Sequence, residues 1–109
     1  MPKKFIMGWL HFKPGKRDDF IAKSRWYADA CRAEAGCEFF DFSLCPFDPD
    51  LAMVMECFSD RRAHEEDHIA SEHFKRFWKA LGEVCVEGRF QNILSDTVKP
   101  ERHVFSQAN

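Results

Sequence analysis

The sequence has neither a large net charge nor a long apolar run. Its 16 lysines and arginines nearly balance 18 acidic residues, which leaves a formal charge of −2. Such a chain has no positive field to attract nucleic-acid phosphates or an anionic membrane surface. No segment approaches the roughly 20 apolar residues that a membrane-spanning helix needs. We therefore expect neither nucleic acid nor a membrane as a partner.

The sequence also lacks paired cysteines. Its five cysteines form an odd set without a C-x-x-C pair, which argues against a disulfide framework or a structural zinc site. Lys3 and Lys4 precede a short apolar run, but Gly8 and His11 interrupt it and charges follow, so a strand is favoured over a signal peptide. These features predict a cytoplasmic protein with reduced thiols.

Aromatic residues, by contrast, are abundant. The chain has 12 phenylalanines and 3 tryptophans within 109 residues, more than a minimal core of this size requires. Such a load suits an apolar ligand pocket or a buried interface. The length predicts one domain, which we place at residues 1–98, followed by a polar tail at 99–109.

Hydrophobic periodicity and turn residues predict alternating strands and helices. Strands are expected at residues 5–12, 38–45, 51–58 and 90–98. Helices are expected from Lys16 to Gly36, from Ser59 or Asp60 to Ala70, and from Ser71 to Gly82. Gly82 and Gly88 are expected to bracket an irregular passage. The order βαββαβ is that of an α+β, ferredoxin-like fold with a four-stranded antiparallel sheet.

The strands are apolar on both faces. Phe5, Met7 and Trp9 lie on one face of the first strand, whereas Ile6 and Leu10 lie on the other. Helices cover only one face of such a sheet, so the second apolar face needs another cover. A second copy of the sheet is the simplest cover. The sequence therefore predicts a homodimer through the sheet face, forming a dimeric α/β barrel.

Four short segments occur in the order typical of one known family. They are Lys13-Pro14-Gly15, Glu34-Ala35-Gly36-Cys37, Met55-Glu56-Cys57-Phe58 and the run from His68 to Phe74. Together they resemble the antibiotic biosynthesis monooxygenase family over residues 5–98. The resemblance implies a dimeric α+β barrel with a pocket between sheet and helices. Members of that family include cofactor-independent oxygenases of phenols and quinols, haem-degrading enzymes and a signalling-sugar isomerase.

Two departures from the family pattern narrow the expected chemistry. Trp78 stands where haem-degrading relatives carry the axial histidine, which disfavours haem, and Phe58 stands where tryptophan is common. The resemblance then implies a cofactor-independent monooxygenase of a small aromatic phenol or quinol. Two alternatives stay open: a non-oxidative isomerase or degradation enzyme for a small polar carbonyl compound, and a binding or stress-response dimer without chemistry.

The candidate catalytic residues are two histidines and one carboxylate. His68 and His73 flank a helix break. An imidazole whose pKa is near neutral pH can accept a proton from a phenol there. The structural alternative is that these histidines cap or bridge the break. Glu56 shares a strand face with Val54, so it is a buried carboxylate if that face looks inward. A buried carboxylate there serves either as a structural hydrogen-bonding group or as a general base. The predicted substrate-binding walls are Trp9, Phe58, Phe74 and Trp78.

A zinc-protease pattern also occurs, but its surroundings do not support it. The segment from His64 to His68 matches H-E-x-x-H, with the two histidines one helical turn apart. Zinc chemistry would need a third ligand and a substrate cleft, whereas the residues between these histidines are acidic. We therefore expect a solvated helix face at residues 65–67, and no metal.

Overall fold

The computed structural model describes residues 2–95, which form four strands and four helical segments. The strands are β1 (Lys3–Phe12), β2 (Cys37–Leu44), β3 (Leu51–Phe58) and β4 (Cys85–Ser95). The helices are α1 (Arg17–Ala22), α2 (Arg25–Arg32) and α3 (Glu72–Val84), with a π-helical segment at Ala63–His68. The predicted domain boundary at residue 98 and the tail at 99–109 lie outside the described residues.

The strands form one antiparallel sheet in the order β2-β3-β1-β4. This order and the βαββαβ chain path confirm the predicted α+β, ferredoxin-like fold. The register aligns Phe40, Glu56, Ile6 and Asn92 in one row across the sheet. Because side chains alternate between faces, this row lies on one face, and that face carries the polar end of the site described below.

The alternation in β1 explains where the core lies. Ile6, Leu10 and Phe12 are buried beneath the helices, and α2 packs against both β2 and α3. The intervening residues Phe5 and Met7 point to the opposite face and remain partly exposed. The prediction that the strands are apolar on both faces is therefore confirmed, and we call the uncovered side the outer face.

The helices differ from the prediction at two places. The single helix expected from Lys16 to Gly36 is divided in two, because the Ser24 hydroxyl donates to the Phe20 carbonyl at 2.6 Å and competes with the helical ladder there. The irregular passage expected around Gly82 does not form; α3 continues to Val84, and β4 follows directly at Cys85. Within residues 2–95, no helix is long and apolar enough to span a membrane.

The segment before α3 is wound more loosely than an α-helix. The Ile69 N–H donates to the His64 carbonyl at 3.0 Å, five residues back, as a π-helix requires. The Asp60 carboxylate accepts the Ala63 N–H at 2.8 Å at its start. Ser71 then caps α3 as predicted, its hydroxyl accepting the Phe74 N–H at 3.2 Å. This broken connection fixes the position of His68.

The fold allows almost no space between the end of α2 and the start of the π-helical segment. A Cβ atom on Gly36 would collide with the Ala63 side chain and would lie 3.2 Å from the Ser59 hydroxyl. We expect Gly36→Ala to lower the free energy of unfolding by about 1–3 kcal/mol, the usual range for overpacking, as measured by urea titration.

Gly82→Ala is the matched control for this prediction. Gly82 lies inside α3, and an added Cβ would meet nothing within 4 Å. Since alanine is the better helix former, this variant should gain about 0.5–1 kcal/mol. Equal effects of the two substitutions would contradict the close packing at Gly36.

Candidate active site

A cavity of about 270 Å³ lies between the inner face of the sheet and the helices. Its wall is mostly apolar, with aromatic rings that include those of Phe40, Phe42 and Phe77 beside aliphatic side chains. Trp78 and Phe90 also line it, and they are 42% and 40% exposed, so the cavity opens to solvent beside them. An apolar chamber with a few convergent polar groups is the usual form of a small-molecule site.

His68 lies at the polar end of this cavity and is almost completely buried. Its Nδ1 lies 2.8 Å from Glu34 Oε2, so Nδ1–H donates to that carboxylate. In the neutral ring this leaves the lone pair on Nε2. Nε2 lies 3.4 Å from the Tyr27 hydroxyl and 3.5 Å from Glu56 Oε1. His68 therefore presents a proton-accepting nitrogen among other polar groups of the cavity.

Glu34 holds a second imidazole as well. His73 Nε2 lies 2.6 Å from the same Oε2 atom that accepts from His68. The Glu34 side chain is 12% exposed, and its other oxygen, Oε1, has no hydrogen-bond partner within residues 2–95. One carboxylate oxygen thus joins two histidines from different elements, the π-helical segment and α3.

Glu56 is a buried acid on the inner face of β3, the face that it shares with Val54. Burial, and then the negative charge of Glu34, raise the pKa of Glu56 to about 8. Its Oε1 lacks a hydrogen-bond partner among the described residues, because 3.5 Å to His68 Nε2 is too long for a good hydrogen bond. At neutral pH Glu56 is therefore mostly a carboxylic acid with a proton to donate.

Burial also sets the protonation of the neighbouring groups. It lowers the pKa of His68, although the Glu34 carboxylate acts in the opposite direction. It raises the pKa of the Tyr27 hydroxyl, which therefore remains a phenol. At neutral pH the cavity thus combines a neutral imidazole with a protonated carboxyl group, a possible base beside a possible acid.

Cys31 completes a cluster of metal-ligand type with Glu34, His68 and His73. Ligand atoms of the four side chains all lie within 4.8 Å of one another. Two ligands of one tetrahedral zinc ion lie about 3.3 Å apart, given bonds of about 2.0–2.2 Å. Glu34 Oε2 instead lies 2.6 and 2.8 Å from the imidazole nitrogens, so hydrogen bonds join these groups and a metal ion would have to separate them.

Comparison with known proteins identifies the family. The family model for antibiotic biosynthesis monooxygenases matches residues 5–80, about two-thirds of the chain. The chain belongs to the antibiotic biosynthesis monooxygenase family. No curated protein is a significant sequence match to it.

Solved structures agree with this family fold. PA3566 from Pseudomonas aeruginosa is 23% identical, with a TM-score of 0.78 over 86% of this chain and 94% of that one. Rv0793 from Mycobacterium tuberculosis is 19% identical, with a TM-score of 0.79 over 91% and 99%. A protein described as an antibiotic biosynthesis monooxygenase is 24% identical, with a TM-score of 0.73 over 88% and 99%. At these identities the likeness extends to the fold alone.

The structure brings together most of the residues that the sequence of this family member suggested. Four of them line the cavity, namely His68, Glu56, Phe74 and Trp78. Phe58 is fully buried and packs on the His68 ring, with centroids 4.9 Å apart. His73 reaches His68 through Glu34.

Trp9 lies elsewhere. It pairs with Met53 and Arg89 on the outer face of the sheet, away from the cavity, and it does not line that cavity. The expectation that Trp9 forms a pocket wall failed because both faces of β1 are apolar, so alternation alone does not say which face looks toward the helices.

Sequence reasoning gave no role to several polar residues of this site. Glu34 was noted only within the helix-exit motif, although a carboxylate just before a glycine stop is well placed to turn inward. Tyr27 and Asn92 line the cavity and were not singled out for it. Neither carries a local signal, because their position depends on strand and helix packing.

His64 lies inside the protein, unlike the residues that follow it. Residues 65–67 are exposed, as expected, but His64 itself is buried and its ring stacks near that of His68, with centroids 5.7 Å apart. Burial, and then the charge of Lys4, lower the pKa of His64 to about 4, so it is neutral at physiological pH. Its Nδ1 has no hydrogen-bond partner within residues 2–95.

Proposed function

We propose that this protein is a cofactor-independent monooxygenase of a small aromatic phenol or quinol, with His68 as the general base. The observation that carries the proposal is the position of His68 Nε2, a buried proton acceptor at the polar end of a largely apolar, aromatic-rich cavity. Flat apolar walls suit an aromatic ring, and the polar end suits its hydroxyl group.

The proposed reaction is balanced without an added reductant. A substrate SH₂ and O₂ give SO and water: one oxygen atom bonds to a ring carbon, and the other leaves with the two hydrogens. His68 Nε2 removes the phenol proton, and the electron-rich phenolate reduces O₂ and forms the C–O bond. Breaking the O–O bond, together with the C–H bond of the same ring carbon, then leaves a carbonyl group and releases hydroxide, which takes the proton held by His68 to become water. The substrate supplies all four electrons that O₂ accepts.

The other polar groups have supporting roles in this proposal. Glu56, protonated at neutral pH, donates a hydrogen bond to the oxygen that becomes negative, as a neutral buried acid can. The aromatic walls exclude bulk water from the reactive anion. Phe74 and Trp78 contact each other near the mouth, with ring centroids 5.5 Å apart, and together they would hold the flat substrate.

Oxygen uptake over a panel of hydroquinones and polycyclic phenols tests the proposal. We expect uptake above autoxidation, one ¹⁸O atom per product from ¹⁸O₂, and no change on adding flavin or after EDTA treatment. The EDTA treatment tests whether a metal ion bound by the cluster of Cys31, Glu34, His68 and His73 is needed for turnover. Turnover that requires a metal or flavin, or no turnover with any substrate above background, would overturn the proposal.

The pairing of Glu56 with His68 favours one second candidate. A base and an acid 3.5 Å apart can move a proton from a hydroxyl-bearing carbon to the adjacent carbonyl carbon through an enediol, as an isomerase of a small polar carbonyl compound requires. Deuterium uptake from D₂O at such a carbon, without oxygen consumption, would identify this reaction instead.

We also propose that the protein is a homodimer joined through the outer face. Phe39, Met55 and Ile93 are 37–47% exposed there, which is unusual for large apolar residues that share one side of a sheet. A second copy would cover them and close the barrel. The cysteines within residues 2–95 are all free, which fits a reducing, cytoplasmic environment.

A further inference from the structure

The proposed base has no direct route for its proton. The His68 side chain is 2% exposed, so an imidazolium formed there is surrounded by protein and substrate and not by water. A buried positive charge is costly unless an opposite charge balances it. The nearest such charge is Glu34, whose Oε2 is already shared with His73 at 2.6 Å.

A separation of 2.6 Å between His73 Nε2 and Glu34 Oε2 needs a proton between the two atoms. The same holds at 2.8 Å for His68 Nδ1. Both imidazoles therefore donate to one carboxylate, which can neutralise one positive charge but not two. Of the two rings, His73 is the better site for that charge at rest, because its side chain is 23% exposed and that of His68 only 2%.

We infer that Glu34 and His73 form a charge relay for His68: His73 carries the positive charge at rest, and it releases a proton to solvent when His68 takes one from the substrate. The two rings lie 6.2 Å apart, so simultaneous charges on both repel strongly. One proton enters at His68 Nε2 and one leaves from His73, and the charge around Glu34 is unchanged. When His68 returns its proton to the leaving hydroxide, His73 recovers one from water.

Glu34 and His73 are positioning residues in this relay, since neither lines the cavity. Glu34 also holds His68 in the tautomer whose Nε2 faces the cavity. The inference rests on the proposed function for its place in turnover, but the coupling between the two histidines can be measured without substrate. The titratable groups packed around His68 are Tyr27, Cys31, Glu34, Glu56, His64 and His73.

The test is ¹⁵N NMR titration of imidazole-labelled protein, with His68→Asn, His64→Gln and His73→Gln used to assign the rings. His73→Gln places an uncharged amide near the former Nε2, so the contact with Glu34 can persist while the charge is lost. Because a neighbouring positive charge lowers the pKa of His68, its removal should raise the titration midpoint of His68 by about one to two pH units. The acid limb of the rate profile should move upward by the same amount.

Glu34→Gln should act in the opposite direction. Without the carboxylate, the His68 midpoint should fall, because the negative charge that favours the protonated ring is gone. The matched control is Glu72→Gln in the first turn of α3, where the side chain is 94% exposed; it should leave the His68 midpoint unchanged. If Glu34→Gln does not fold, His73→Gln alone still tests the coupling.

The outcomes separate the relay from the proposed reaction. An upward shift of His68 in His73→Gln supports the relay, and it does so even if no phenol is oxidised, in which case only the oxygenase proposal fails. A His68 midpoint that is unchanged in His73→Gln overturns the relay even if oxygen uptake proceeds. A neutral His73 at pH 7 in the unmodified protein also overturns it.

Discussion

His68→Ala should reduce oxygen-dependent turnover by at least a hundredfold. A positioned general base contributes about a hundred- to ten-thousandfold, and among the described residues His68 Nε2 is the proton acceptor fixed at the polar end of the cavity by its partner Glu34. The loss should appear in kcat, because deprotonation follows substrate binding. Steady-state oxygen uptake with the best substrate of the panel measures it.

His68→Asn separates this effect from a folding defect. The asparagine amide can occupy the place of Nδ1 and donate to Glu34, but it puts nothing at the position of Nε2. We expect this variant to keep near-normal thermal stability while losing as much activity as the alanine variant. Activity within threefold of that of the unmodified protein in either variant would remove His68 from the proposed mechanism.

The pH profile should show the same dependence on neutral His68. Only the neutral imidazole accepts a proton, and burial lowers the pKa of His68 below its ordinary value near 6.5. The rate should therefore rise with pH in the acid range and be constant by neutral pH. Above about pH 8 it should fall again, because Glu56 loses the proton that it donates.

Met55→Asp should convert the proposed dimer to a monomer. Met55 is 47% exposed on the outer face, so a carboxylate there is tolerated by a single chain. In the proposed dimer both copies would bury this charge without a partner, at a cost of several kcal/mol per ion. The dimer dissociation constant should rise by at least about a thousandfold, as measured by sedimentation equilibrium at micromolar concentration.

Phe47→Asp provides the matched control for the interface. Phe47 is 94% exposed in the turn between β2 and β3, and the substitution again replaces a large apolar side chain with an acid. It should leave the association unchanged. An unmodified protein that sediments as a monomer at micromolar concentration would contradict the proposed dimer.

The sequence contains enough information for the sheet but not for all of the site. The alternation of Ile6 and Leu10 with Phe5 and Met7 fixes the period of β1, and the order of elements then fixes the topology. The side of Trp9 depends on which apolar face the helices cover, a choice made by tertiary packing. Strand β4 begins at Cys85, five residues earlier than predicted. The two glycines at positions 82 and 88 suggested a loop, but the helix passes directly into the strand.

In the site, too, the residues marked by a local sequence pattern were predicted, and a residue placed by long-range packing was not. His68 and His73 were found because a helix break with a capping serine is a local pattern. Glu34 was missed as a site residue, because it lies 34 residues from His68 and 39 from His73 in sequence. A contact of that separation leaves no periodic signal in a single sequence.

The division of the cavity into two ends has a consequence for how a protein with this site can diversify. The partners of His68 come from α2 and the turn after it and from β3, whereas Trp78 and Phe90 at the mouth come from α3 and β4. Substitutions at the mouth can therefore change which molecules enter without disturbing the hydrogen bonds of His68. Selection could thus broaden or shift the substrate range in single steps while the chemical machinery is inherited intact.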